Sequence, residues 1–292
     1  MDSVRIVGVA CLLALLGSAN AASIECTRCE EWNEEQVPFQ LFGNTYYVGT
    51  HGLSSVLITS QAGHVLIDGA LPQSAPLIAR HVEQLGFKMS DVKIILNSHV
   101  HYDHAGGIAE LQQISGAKVI ASDIAANDLR EGRVGRTDPQ YEYRMSYPRV
   151  NNVEALGNKT GVDLGSLHLK VIRTPGHTPG GTSWTWRSCE GERCLNVVYG
   201  DSLNAVSDDS FKYSGNSRYP TAATDLFTSI ARINAAACDI LIVAHPELGG
   251  LWSIFDAQGK GDRSRLVDPT ACERFAAGSK GRFEERLKSE KH

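Results

Sequence analysis

An apolar strand that runs straight into a group of histidines is the strongest constraint in this chain. Lys93-Ile94-Ile95-Leu96-Asn97 has the length and branching of a buried strand. It is followed at once by Ser98-His99-Val100-His101-Tyr102-Asp103-His104-Ala105-Gly106-Gly107. Three imidazoles and a carboxylate so close together are poor packing material, but they are ligand types that suit Zn2+. His99 and His101 stand two residues apart, so an extended backbone points both the same way. Asp103 and His104 begin the turn into a helix and can face a second position. Gly106 and Gly107 let that turn pass close to the cluster without Cβ clashes.

A catalytic zinc takes three protein ligands and keeps a position open, so four candidates point to two ions and call for further donors. Two more sit at strand ends. Thr174-Pro175-Gly176-His177-Thr178-Pro179-Gly180-Gly181 places His177 in a rigid loop, and Val243-Ala244-His245-Pro246-Glu247 places His245 after an apolar run. Strand C-termini are where α/β proteins build their sites. The remaining histidines, His51, His64, His81, His168 and His292, are assigned to surface or turn positions. His51, beside Gly52, is the one whose loop could reach the cluster.

The rest of the chain supports an α/β architecture. Strands are predicted at 39–50, 54–60, 64–68, 93–97, 118–121, 167–173, 182–187, 195–199 and 239–244. Helices are predicted at 74–87, 108–114, 124–130, 224–236 and 274–291, with a long polar loop over 132–149. No GxGxxG, GxxxxGK[ST] or GxSxG motif occurs, which argues against dinucleotide, P-loop and serine-nucleophile chemistry. With 28 basic and 33 acidic residues the net charge is −5, so nucleic acid is not an expected partner.

The N-terminus has the layout of a secretory signal: Arg5, an apolar run from Ile6 to Leu16, and Ala19-Asn20-Ala21 as a cleavage site. Residues 1–21 are expected to be removed, leaving 22–292 as one domain in the periplasm, with no membrane span. Cleavage discards Cys11 and leaves an even set of cysteines for an oxidising compartment. Cys189 and Cys194 flank a turn between strands and are expected to pair, as are Cys238 and Cys272. For Cys26-x-x-Cys29 a local structural disulfide fits better than a redox or zinc-ribbon role.

Together, H-x-H-x-D-H at 99–104, the later T-P-G-H and the strand-end His245 resemble the metallo-β-lactamase superfamily, over about Phe39 to the C-terminus. Thr174 to Trp186, Tyr199-Gly200-Asp201-Ser202-Leu203 and Ala244-His245-Pro246-Glu247 look most like subclass B3. The resemblance implies a four-layer αβ/βα sandwich with the site at the rim between two mixed sheets. It implies two Zn2+, one on His99, His101 and His177 and one on Asp103, His104 and His245. Asp103 would also orient the water that attacks a β-lactam carbonyl.

Ser202 and Asn204 are candidates for the substrate carboxylate, with Gln140 from the long loop as a further contact. Asp68 is expected to support the site from behind. Either Asp201 or Ser202 could face the metals, since an Asp in a Gly-Asp pair bridges both ions in glyoxalase II-like members of the superfamily. The implied activity is zinc-dependent β-lactam hydrolysis, giving antibiotic resistance, by a monomer acting on small molecules. The alternatives are a glyoxalase II-type thioesterase or lactonase, an exported zinc-binding protein without catalysis, and an iron oxygenase on the same fold.

Overall fold

The computed structural model describes residues 23–256 and 264–291. The expected signal segment therefore lies outside the described residues. A short helix α1 (Cys29–Trp32) precedes β1 (Phe39–Phe42), β2 (Thr45–Tyr47), β3 (Val56–Ile58) and β4 (His64–Ile67). Then come α2 (Ala75–Gln84), β5 (Val92–Leu96), α3 (Tyr102–Ala105), α4 (Ile108–Ser115), β6 (Lys118–Ala121), α5 (Asp123–Glu131) and β7 (Val153–Ala155). The second half holds β8 (Gly161–Leu164), β9 (Leu167–Arg173), β10 (Thr182–Glu190), β11 (Arg193–Gly200), α6 (Ala222–Asn234), β12 (Ile240–Val243), α7 (Leu251–Asp256) and α8 (Ala271–Ser289).

Two sheets result. The first runs in order from β1 to β7, antiparallel as far as β4 and parallel from β4 to β7. The second has the order β12-β11-β10-β9-β8, antiparallel except for the parallel β11–β12 edge.

Why the central strands are apolar throughout follows from the layering. Strand side chains alternate faces, so a strand covered on both sides must be apolar at every position. On β4, Val65 and Ile67 enter the core between the sheets, while Leu66 faces the helices. Ile94 and Leu96 face inward on β5, and Ile95 outward. The second sheet repeats this with Val197 and Tyr199 inward, Val198 outward, and Ile240 and Ile242 inward, Leu241 outward. Trp184 and Trp186 fill the space between the sheets. Ile78 and Val82 of α2, Leu111 of α4 and Leu129 of α5 cover the first sheet. Leu226 and Ile230 of α6 and Phe275 and Phe283 of α8 cover the second. The arrangement is the expected four-layer α/β/β/α sandwich.

The differences from the sequence reading are local. Strands β7 and β8 lie at sheet edges, where one side is uncovered, and their short sequences mix apolar with charged residues, so neither shows as an apolar run. Among the described residues no helix is long and apolar enough to cross a membrane. Two histidines assigned to surface or turn positions are buried instead: His81, whose Nδ1 lies 2.9 Å from the Val48 carbonyl, and His64, edge-on to Phe87. Burial holds the His81 imidazole below its ordinary value.

Disulfides join Cys26 to Cys29, Cys189 to Cys194 and Cys238 to Cys272. Cys189 and Cys194 sit directly opposite on β10 and β11. The Cys238–Cys272 bridge spans 34 residues and ties the first turn of α8 to the approach to β12. By the loop-entropy argument, replacing both cysteines by serine should cost about 3–4 kcal/mol of stability. A urea unfolding midpoint unchanged in the Cys238→Ser/Cys272→Ser protein would contradict this.

Candidate metal centre

Strand β5 ends at the rim between the sheets, and the loop after it carries the histidine cluster. Trp184 Nε1 donates to the Asn97 carbonyl at 3.2 Å, and Thr182 N donates to Ser98 O at 2.8 Å. The second sheet thus grips the end of the first. His101 is the N-cap of α3, so its backbone is extended while Asp103 and His104 are already helical. The turn that follows crosses the loop after β4 at close range: Gly69 N donates to His104 O, and Gly107 N donates to Ala70 O. A Cβ on Gly107 would lie 2.2 Å from the Gly69 carbonyl, so this crossing needs glycine.

His177 enters from the loop between β9 and β10, and His245 from the end of β12. The rings of His99, His101 and His177 form a near-equilateral triangle, with centroids 4.9, 4.8 and 4.7 Å apart. Their ligand atoms lie within 4.8 Å of one another, as do those of His99, Asp103 and His104. His245 completes the second group: its Nε2 is 3.2 Å from His104 Nε2 and 3.3 Å from Asp103 Oδ2. All of the sequence-predicted metal residues therefore meet at one place. His51 does not join them. It stacks on Trp252 with centroids 4.6 Å apart, and its Nδ1 faces Gln36 Oε1.

The outward side of each ring in the triangle is spoken for. His99 Nδ1 lies 2.7 Å from Asp201 Oδ1, His101 Nε2 3.1 Å from Asp138 Oδ1, and His177 Nδ1 2.7 Å from the Asn204 carbonyl. A metal-bound imidazole needs this arrangement, with one nitrogen tethered so that the other presents its lone pair. His99 Nε2 is buried without a protein partner, an arrangement that is costly unless a cation or another group meets it. His104 Nε2 and His245 Nε2 face each other at 3.2 Å, each 3.3 Å from Asp103 Oδ2, so three donor atoms converge where one cation could meet them. The donor set of imidazoles and one carboxylate fits a divalent cation of borderline softness.

Electrostatics agree with the geometry. Burial, followed by the neighbouring imidazoles, holds His99 and His177 well below the ordinary histidine value, leaving their lone pairs free. For His101 burial acts in the same direction, but Asp138 outweighs it and raises the ring. Burial works to raise Asp103, yet His104 and His245 hold its carboxyl well below the usual range. Asp201 is pushed up by burial.

Asp201 turns away from the triangle's interior. Besides His99, its Oδ1 accepts from Ser202 N at 2.7 Å, and its Oδ2 accepts from Thr174 Oγ1 at 3.3 Å. Asp68 directs its carboxylate hydrogen bonds to the loop and to Tyr199, not to the histidines of the cluster. It accepts from Ser98 N, Ser98 Oγ and Tyr199 OH at 2.7, 2.5 and 2.8 Å, and from Asn97 Nδ2. It holds the loop, from a left-handed φ of 60°. Gln140 Nε2 lies 3.4 Å from His101 Nδ1. The Asn204 side chain is held by α8, its Oδ1 accepting from Arg282 Nε at 3.1 Å.

Two contributors are absent from the sequence reading. Asp138, behind His101, lies 37 residues away in the polar loop, and an Asp before Pro reads there as a turn. Trp32 of α1 packs its ring 5.3 Å from that of His245 and forms a wall of the site. The Cys26–Cys29 bridge lies on the same short turn.

A family model described as the metallo-beta-lactamase superfamily matches residues 48–190. Among solved structures, the chain is 51% identical to the Rm3 metallo-beta-lactamase with a TM-score of 0.89, covering 92% of this chain and 100% of that one. It is 49% identical to MEM-A1, a subclass B3 metallo-beta-lactamase isolated from a soil metagenome library, with a TM-score of 0.86 and coverage of 89% and 98%. Among curated relatives, a hydroxyacylglutathione hydrolase of a Bradyrhizobium species is 31% identical over 48% of this chain, which spans 46% of that relative's length. A probable metallo-hydrolase of Methanocaldococcus jannaschii is 25% identical over 64% of this chain and 84% of its own.

Near the site, burial pushes the Asp128 carboxyl up to about 6 from its ordinary 3.8. The folded state gains from protonated Asp128 below that ordinary value and loses the gain as pH rises through about 6. Asp128→Asn should therefore be about 1–3 kcal/mol more stable than the parent at about pH 7.5 and nearly unchanged at about pH 4. Denaturant melts at the two pH values check this; an equal gain at both would refute it.

Proposed function

Since the chain belongs to the metallo-beta-lactamase superfamily, we propose that it is a subclass B3-like β-lactamase. It opens the ring of penicillins, cephalosporins and carbapenems, uses two Zn2+, and confers antibiotic resistance from the periplasm. Residues 22–292, after loss of 1–21, form its one catalytic domain and act as a monomer. The observation that carries the reading is the likeness to the Rm3 and MEM-A1 enzymes along nearly their whole lengths, joined to a histidine cluster at the sheet rim.

His99, His101 and His177 hold one ion; Asp103, His104 and His245 hold the other. Such ions supply a Lewis acid for the carbonyl and a water that loses its proton near neutral pH. The chain does the positioning. The Asp103 carboxylate accepts a hydrogen bond from the attacking water and aims it. Asp201, Asp138 and the Asn204 carbonyl hold three rings in place, so their free nitrogens need not reorganise during the reaction. The Ser202 hydroxyl, the Asn204 amide N–H and the Gln140 amide receive the substrate's carboxylate. Asn204 Oδ1 is already committed to Arg282, which leaves its Nδ2 edge to donate.

A thioesterase of the hydroxyacylglutathione type is the second reading, favoured by the curated relatives and by the Gly200-Asp201 pair. The contacts of Asp201 with His99 and Thr174 weigh against its bridging two ions and favour the lactamase. Purified protein assayed with a cephalosporin, a carbapenem, a lactoyl-glutathione thioester and an acyl-lactone separates the two. Turnover of the lactams is expected, with loss of at least about 100-fold after chelation and recovery with Zn2+. His99→Ala and His245→Ala should each lower bound metal. Undiminished lactam turnover in metal-free protein, or turnover of the thioester alone, would reject the lactamase.

A further inference from the structure

The segment between β11 and α6 has no regular strand or helix over 201–208, yet it presents the carbonyl that holds His177. A backbone without its own hydrogen-bond ladder must be held from outside if it is to aim an acceptor within a few tenths of an ångström. One face of α8 does this. Arg282 Nε donates to Asn204 Oδ1 at 3.1 Å. Four residues on, Arg286 Nη2 donates to Ser207 Oγ at 2.8 Å and to the Phe211 carbonyl at 3.3 Å. Four further on, Glu290 accepts from Tyr213 N at 3.0 Å and Ser214 N at 2.7 Å, and also from Arg286 Nε at 2.6 Å. The i, i+4, i+8 spacing puts the three side chains in one row along the helix.

The row reaches the cluster by more than one route. Tyr213, held by Glu290 and packed against Phe283 of α8, donates from its hydroxyl to the Gly176 carbonyl, next to His177. Asp208 N donates to Pro139 O, and Tyr143 OH donates to Ser207 O, so the same segment braces the loop that carries Asp138 and Gln140 behind His101. The base of α8 is anchored by the Cys238–Cys272 bridge.

We propose that Arg282 is a positioning residue for the three-histidine metal site: it fixes Asn204 so that the carbonyl of that residue aims at His177 Nδ1. The charged face of the last helix serves as a splint for the site. This rests on His177 being a metal ligand, so the experiment includes His177→Ala.

Metal-free parent, Arg282→Ala, Arg282→Lys and His177→Ala proteins are titrated with Zn2+ against a chromophoric chelator, and the thermal midpoint of each is recorded. In Arg282→Ala one equivalent should bind about tenfold more weakly and the other unchanged, as for loss of an outer hydrogen-bond partner. Arg282→Lys, which keeps a donor, should recover most of that loss. The inference is overturned if Arg282→Ala binds both equivalents like the parent while His177→Ala loses one. It is also overturned if both equivalents weaken together with a lowered midpoint, which marks general loosening. If His177→Ala binds metal like the parent, the reading of the site fails and this inference with it.

Discussion

The structure is organised around the cost of placing four buried imidazoles, a partly exposed fifth and a carboxylate side by side. Unpartnered polar groups in such a place are expensive, and several imidazoles cannot all carry protons there. Three of the rings escape through the same device. One nitrogen is satisfied by a group from a different part of the chain, and the other is turned inward as a lone pair. Asp201, Asp138 and the Asn204 carbonyl are those groups, and each comes from a loop that something else has to hold.

The fold supplies that support in layers. The core between the sheets fixes β5 and β11, whose ends carry His99 and Asp201. The crossing of the loops after β4 and α3 is tight enough to need Gly69 and Gly107. Asp68, buried in a left-handed conformation, gathers Asn97, Ser98 and Tyr199, and so ties the two sheets together beneath the cluster. On the far side, α8 restrains the irregular segment after β11. The metal residues themselves are short side chains on short loops, and their precision is borrowed from these neighbours.

Much of this was legible in the chain. Buried strands announce themselves as apolar runs because both faces are covered, and β4, β5, β6, β11 and β12 all lie where such runs lie. The edge strands β7 and β8 each carry an acidic residue among few apolar ones, so no apolar run marks them. His99, His101, Asp103 and His104 stand together in sequence, and His177 and His245 each follow a strand, so local pattern sufficed to gather them. His64 and His81 show the opposite case. Nothing local distinguishes a histidine buried against Phe87 or the Val48 carbonyl from one in solvent. Asn204 was legible as a residue near the site but not as one that meets His177 through its backbone.

Sequence alone therefore determined which donor types the site contains and that strand ends carry them, because spacing and hydrophobic period are properties of adjacent residues. Only the tertiary structure decided which nitrogen of each ring is tethered and by what. Those partners are remote along the chain: Asp201 is 102 residues from His99, Asp138 is 37 from His101, and Arg282 is 78 from Asn204. A hydrogen bond depends on where two chain segments meet in space. Here that meeting was settled by the packing of two sheets and a final helix.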